Sequence, residues 1–246
     1  MSRTYAKGNL VSKAMTSDDK KRLLNPVWEA ISGPQLPLAE IRGQAGVYDM
    51  DVSPFGAVES VCDAALNDLA DLCSPGRIVA LMYKDATLPD CNRWELIESI
   101  NVWQMIYREQ GQSAPLQSTA LSDEFVDRMI ELVRLTNPGP FGKRTIELGD
   151  YLGVVESDRL LAMAGERFKP PHWVEVSGVC THPSAQGRGY AAGLVTRLVE
   201  QIEFRDQRAF LHVRAGSPSE QVAIGVYERL GFEHYQRMDI AVLQRR

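Results

Sequence analysis

The sequence predicts an α/β fold laid out in two lobes, and three observations carry this. The second half shows alternating apolar stretches of strand and helix periodicity in the order β-α-β-β-β-α-β-α-β. The first half shows a shorter strand-helix-strand-strand series. Between an apolar strand and a periodic helix in the second half stands a turn with two glycines, Gln186 to Ala191. With 246 residues, 44% hydrophobic and 24% charged, the chain has the composition of a globular protein with ample core.

The first dozen residues are polar and aperiodic and are expected to be loosely held. A stretch punctuated by Pro26, Gly33, Pro34, Pro37 and Gly43 leads to a short strand near Gly46 to Val52. A helix is expected over Pro54 to Leu72, capped by Ser53, with Val58, Val61, Ala65, Leu69 and Leu72 on one side. Strands follow near Arg77 to Tyr83 and Trp94 to Tyr107, and the polar stretch Glu109 to Ala114 is the expected lobe boundary. This divides the chain into residues 1–112 and 113–246.

The second lobe opens with a strand near Leu116 to Leu121 and a helix from Ser122 that turns Phe125, Met129, Leu132 and Val133 inward. Asn137 to Leu148 reads as a loop. Strands Tyr151 to Glu156 and Arg159 to Arg167 turn at Ser157-Asp158. Strand Trp173 to Thr181, helix Tyr190 to Phe204, strand Ala209 to Arg214, helix Pro218 to Leu230 and a last pair of strands from Phe232 to Leu243 complete the series.

The glycine turn carries the chemistry. At a helix start the first N–H groups lack intrahelical partners and the helix dipole adds roughly half a positive charge, so a phosphate or pyrophosphate is favoured there. Gly187 and Gly189 let the backbone approach an anion. The alternative is an ordinary glycine-rich turn.

Other functions are excluded or disfavoured by pattern. Gly187 to Ala192 also fits the dinucleotide fingerprint, but five residues separate strand from glycine and the next strand ends in a basic residue rather than an acid. No ATP-binding P-loop occurs. Residues 1–112 carry 11 basic and 15 acidic side chains and residues 113–246 carry 16 and 17, which gives no basic excess for nucleic acid. The four histidines have no ligand spacing, so no metal is expected. No apolar run spans a membrane and no secretory signal stands at the start. Cys62, Cys73, Cys91 and Cys180 form no C-x-x-C pair; Cys62 and Cys73 read as buried thiols on one helix face, and a cytoplasmic setting fits.

Strand, loop and helix here resemble the donor-binding motif of the GNAT superfamily of acyl-CoA N-acyltransferases, Q/R-x-x-G-x-G/A, at Gln186, Gly189 and Ala191, preceded by Gly178-Val179-Cys180-Thr181-His182-Pro183. A second GNAT signature, A-I-x-x-Y-x-x-L-G-F, stands at Ala223 to Phe232. The resemblance covers the C-terminal half. It implies the GNAT fold, a mixed, mostly antiparallel sheet flanked by helices, in tandem with a degenerate N-terminal lobe, as in the two-lobed, glycine N-acyltransferase-like branch. It implies acetyl-CoA as co-substrate and transfer to a primary amine of a small molecule or peptide by direct attack. A CoA-binding regulatory module without turnover is the alternative. Acceptor identity, acyl-chain length and oligomeric state are not written in the motifs.

The resemblance also assigns residues. The N–H groups of Gln186, Gly187, Arg188, Gly189, Tyr190, Ala191 and Ala192 would receive the pyrophosphate. The backbone of Val179, Cys180 and Thr181 would hold the pantetheine arm, where Gly178 marks a bulge that splays two strands; a packing glycine is the alternative. Cys180 has no histidine partner placed by sequence and is not expected to act as a nucleophile. Tyr227, in a helix opened by a capping box at Ser217-Pro218-Ser219-Glu220, matches the family's proton donor to the leaving thiolate, although periodicity alone makes it a core residue. Glu220 stands where many relatives carry a cofactor-contacting Asn. Glu175, eleven residues before Gln186, matches the catalytic glutamate of the histone-acetylating branch; beside Trp173 its pKa could be raised, and the alternative is a solvated strand carboxylate.

Overall fold

The computed structural model describes residues 15–108 and 116–246. The expected loose N-terminus and the expected boundary at Glu109 to Ala114 lie outside the described residues. Eleven strands form one sheet: β1 (Ala39–Arg42), β2 (Ala45–Tyr48), β3 (Phe55–Val58), β4 (Ile78–Tyr83), β5 (Trp94–Tyr107), β6 (Thr119–Leu121), β7 (Tyr151–Glu156), β8 (Arg159–Glu166), β9 (Trp173–Thr181), β10 (Arg208–Arg214) and β11 (Phe232–Arg245). Their order across the sheet is β1-β2-β3-β4-β11-β5-β10-β9-β8-β7-β6. Six helices cover it: α1 (Ser17–Arg22), α2 (Pro26–Ile31), α3 (Asp63–Asp71), α4 (Val126–Thr136), α5 (Tyr190–Phe204) and α6 (Glu220–Arg229). The sheet is mixed and mostly antiparallel, with β3 and β4 parallel and β9 and β10 parallel. Each parallel pair is joined by a helix, α3 in the first half and α5 in the second.

The two halves exchange strands. β5, from the first half, lies between β10 and β11, while β11, from the second half, lies between β4 and β5. This corrects the expected pair of strands after Phe232. The chain runs as one 14-residue strand because no turn interrupts it, only register shifts at His234/Gln236 and Val242/Leu243, and its partners come from the first half.

Helix periodicity over Pro54 to Leu72 was misleading at its start. Phe55 to Val58 form β3, paired with β2 and β4, and the helix begins at Asp63 after Cys62, so Ser53 is not its cap. Burial on both faces explains the confusion: all four β3 residues are buried, and a short apolar run fits either period. Cys73 is buried as expected, whereas Cys62, at the helix start, is half-buried. The stretch read as punctuation holds α1 and α2, six residues each and too short for a periodic signal; Thr16 and Asp19 close a capping box on α1.

Beyond residue 116 the other expected elements form with shifts of a few residues. Ser157 and Asp158 both take positive φ (47° and 66°), which closes the β7–β8 hairpin. The helix expected from Ser122 begins with one 3₁₀ turn, and Asn137 ends it in the left-handed region. On one sheet face α5 and α6 bury Val174, Val176, Leu194, Leu198, Leu211 and Phe232. On the other, α4 packs on Met163 and Cys180, and α1 and α2 cover Tyr48, Phe168, Trp173 and Phe210. The loop from Asn137 docks on the first half: Arg144 pairs with Asp49 at 2.7 Å and the Thr145 hydroxyl donates to the Val52 carbonyl at 2.8 Å.

Candidate active site

β9 and β10 set the geometry. They pair only where Arg208, Ala209 and Phe210 face Trp173, Val174 and Glu175, so the sheet opens as a V beyond Glu175. Along its other edge β9 stays paired with β8 but carries an extra residue, because the register shifts between Met163–Cys180 and Gly165–Ser177. Gly178, at that bulge, has φ +61°, a conformation L side chains rarely adopt. The β10-facing edge of Ser177 to Thr181 therefore has no strand partner. Val179 and Thr181 are half-buried, and Cys180 is buried against α4. Burial pushes the Cys180 thiol up to about 11, so it stays protonated.

The glycine turn follows β9 through a 3₁₀ turn at Pro183–Ala185. Gly187 and Gly189 have φ +78° and +76°, and a Cβ on either would meet nothing within 4 Å. Gly189 is the residue before α5, and the first helical hydrogen bond runs from the Gly193 N–H to its carbonyl. The N–H groups of Gly187 to Ala192 have no acceptor among the described residues. An open backbone cradle at the start of a 15-residue helix fits a pyrophosphate. Beside it, the Tyr190 hydroxyl donates to Glu156 at 2.6 Å and Arg188 lies 3.8 Å from the same carboxylate.

Tyr227 projects from α6 into the cluster on the α5 face, with its ring 5.9 Å from that of Phe232. Burial, and then the neighbouring Cys180, push its phenol up to about 12, so it is a protonated donor at neutral pH. Its hydroxyl has no partner among the described residues. The capping box expected at the start of this helix does not form. Ser219 makes no side-chain cap bond, and Glu220 accepts from the Gly216 N–H at 2.7 Å and from the Trp103 indole at 2.8 Å.

Glu175 lies at the vertex of the V, on the face opposite Val174 and Val176 as the alternation requires. Its expected raised pKa is overturned, and so is the alternative of a solvated carboxylate. Burial alone would raise it, but Arg167 bonds both oxygens at 2.8 and 2.5 Å and His212 Nδ1 stands 2.7 Å away, which together bring it down to about 2. The chain of contacts continues across the sheet: His212 Nε2 faces Gln104 Nε2 at 3.1 Å, and Gln236 Nε2 donates to Gln104 Oε1 at 2.8 Å. Sequence reasoning missed Arg167, His212 and Gln104. They come from β10, β5 and the chain just beyond β8, and no local spacing links them.

A groove of about 750 Å³, lined by Leu121, Ser122, Glu147, Asp150 and Gln201, lies at the opposite end of β7 from Glu156 and so away from the glycine turn. Among the described residues no group of three or more His, Cys, Asp or Glu is placed to hold a metal, and no helix is long and apolar enough to cross a membrane.

A parallel strand pair that splits beside a bulge is thus followed by a glycine turn at a helix start. Comparison with known proteins gives the family. Residues 151–240 match the FR47-like protein family. A protein from Novosphingobium aromaticivorans assigned to the GNAT acetyltransferases is 33% identical over 91% of this chain and 98% of its own, with a TM-score of 0.81. Two more distant structures share the fold. A GCN5-related N-acetyltransferase from Kribbella flavida is 14% identical over 89% of this chain and 95% of its own, TM-score 0.58. A GCN5-related N-acetyltransferase-like protein from Streptococcus suis is 12% identical over 92% and 98%, TM-score 0.59. No curated protein matches the sequence. The chain belongs to the GNAT family of acetyltransferases.

Proposed function

We propose that this protein transfers an acetyl group from acetyl-CoA to a primary amine by direct attack, without a covalent enzyme intermediate. The observation that carries the reading is the open cradle at Gly187 and Gly189, where nothing lies within 4 Å of either Cβ position, next to the split between β9 and β10. The N–H groups of Gly187 to Ala192 hold the pyrophosphate, and the unpaired edge of Val179 to Thr181 holds the pantetheine arm. A backbone N–H there polarises the thioester carbonyl. Tyr227 gives its proton to the departing thiolate. Glu175, with both oxygens taken, organises Arg167 and His212 and does not accept the amine's proton, which passes to water. Residues 113–246 carry this site, and residues 1–112 complete the sheet and wall the acceptor side.

Fluorescent detection of free CoA thiol, with acetyl-CoA and a panel of primary amines, tests the reading. Amine-dependent thiol release supports it. Tight acetyl-CoA binding with no release for any amine would instead make the protein a CoA-binding module.

A further inference from the structure

Tyr151, Gly165 and Ser177 stand on one rung across β7, β8 and β9. A Cβ on Gly165 would stand 2.2 Å from Cδ1 and from Cε1 of the Tyr151 ring, so the ring lies across β8 in the space the glycine leaves. Its Cε1 ends 3.5 Å from where a Cβ on Gly178 would be, which places the ring against the bulge of β9. Phe141 braces it edge-on at 5.7 Å. The ring is thus laid from β7 over β8 toward the opening of the V.

Tyr151 is only 3% exposed and its hydroxyl makes no hydrogen bond to the described residues, but the oxygen is not among the buried atoms left unpaired, so it keeps contact with solvent. A ring held by packing with its oxygen open to solvent at the bulge leaves that hydroxyl available to an incoming polar group. Tyr151 packs in the cluster under α4, whereas Tyr227 belongs to the cluster on the α5 face. Two phenols without partners so approach the split sheet from opposite faces. Arg167 and Glu175, at the vertex of the V, are the charged groups that act most strongly on Tyr151.

We propose that Tyr151 is the acceptor-side residue of the acetyl transfer: its hydroxyl oxygen accepts a hydrogen bond from the incoming neutral amine and turns the nitrogen lone pair toward the thioester carbonyl. This rests on the transfer reading given above. The nitrogen forms the new N–C bond as the carbonyl electron pair moves to oxygen, and collapse breaks the C–S bond. The thiolate takes the Tyr227 proton, while the surplus proton on nitrogen leaves through water and restores Tyr227. Tyr151 keeps its own proton throughout, because burial raises its phenol well above the ordinary value.

The test compares the wild type with Tyr151→Phe and Tyr227→Phe, using acetyl-CoA and four probes: glycine, tyramine, spermidine and a lysine-containing tripeptide. Tyr151→Phe should lower kcat/KM for the amine by about tenfold or more. Its CoA affinity by calorimetry and its Tm should be unchanged. Tyr227→Phe should lower kcat with little change in amine KM. A Tyr151→Phe enzyme as efficient as the wild type overturns the proposal and leaves the transfer reading standing. A parallel loss of CoA affinity also overturns it, since the role would then lie on the donor side. A wild type that binds acetyl-CoA but acetylates none of the four removes the transfer reading and this proposal together.

Discussion

The Tyr190 hydroxyl donates to the Glu156 carboxylate over 2.6 Å, which ties the first residue of α5 to the last residue of β7. Arg188 faces the same carboxylate at 3.8 Å. A negative charge therefore stands beside the turn proposed to hold an anion and competes for its cation. Glu156→Gln should raise CoA affinity about two- to fivefold, the scale of a half-exposed charge pair. The gain should shrink as salt rises. Calorimetry at low and high ionic strength measures both, and an affinity that falls would mean that Glu156 orders the loop productively.

Gly189 has φ +76° and open space before it. Gly189→Val would put a branched side chain into the left-handed region, at roughly 1–2 kcal/mol of backbone strain, and fill the open space proposed for the pyrophosphate. CoA affinity should fall by more than tenfold. Undiminished binding by a folded variant would end the donor-loop assignment.

Tyr227→Phe removes one oxygen and keeps the ring on Phe232. General acid catalysis contributes about 10²–10⁴-fold, so turnover should fall by that order while CoA affinity holds. Unchanged turnover, measured where chemistry limits the rate, would leave Tyr227 as a packing residue of the α5-face core.

The glycine conformations around this site were legible because they are local in the chain. Gly178, Gly187 and Gly189 each take positive φ, and a turn or bulge at those places is what glycine spacing reports. Tyr227 is proposed from a ten-residue signature on one helix, and the structure places its ring in the cluster on the α5 face. What was not legible is pairing at a distance. Glu175 looks from its neighbours like a carboxylate beside an indole, and its pKa is decided by Arg167 and by His212, which is 37 residues away. β11 shows the same limit on a larger scale, because its length depends on β4 and β5 lying on either side. Periodicity failed at Phe55 to Val58, where burial on both faces erases the difference between strand and helix.

The vertex of the V also predicts a pH dependence. The Glu175 carboxyl lies near 2 in the fold against an ordinary 4.5, so its ion pair contributes fully above about 4.5, and that contribution is lost as pH falls toward 2. Glu175→Gln leaves Arg167 buried without its charge partner and should destabilise the protein by about 3–5 kcal/mol at neutral pH. Urea denaturation at pH 7 and pH 3 checks the sign: the gap between wild type and variant should be large at pH 7 and narrower at pH 3. A constant gap would assign the loss to packing.

The last prediction concerns the parallel pair in the first half. β3, α3 and β4 repeat the strand-helix-strand arrangement that carries the glycine turn in the second half. Asp49 and Asp51 precede β3 and stand at no helix start, and Asp49 is engaged by Arg144. The two halves differ at the turn before the helix. The segment from Glu59 to Cys62 contains no glycine, its φ values stay out of the left-handed region, and Asp63 occupies the first turn of a nine-residue helix. With no open cradle and a carboxylate beside the free N–H groups, a pyrophosphate is repelled where the second half attracts it. Calorimetric titration of the intact protein should therefore give one CoA per chain, and Gly189→Val should abolish that single event and leave no residual site. Two binding events, or one that survives Gly189→Val, would place a donor site in the first half.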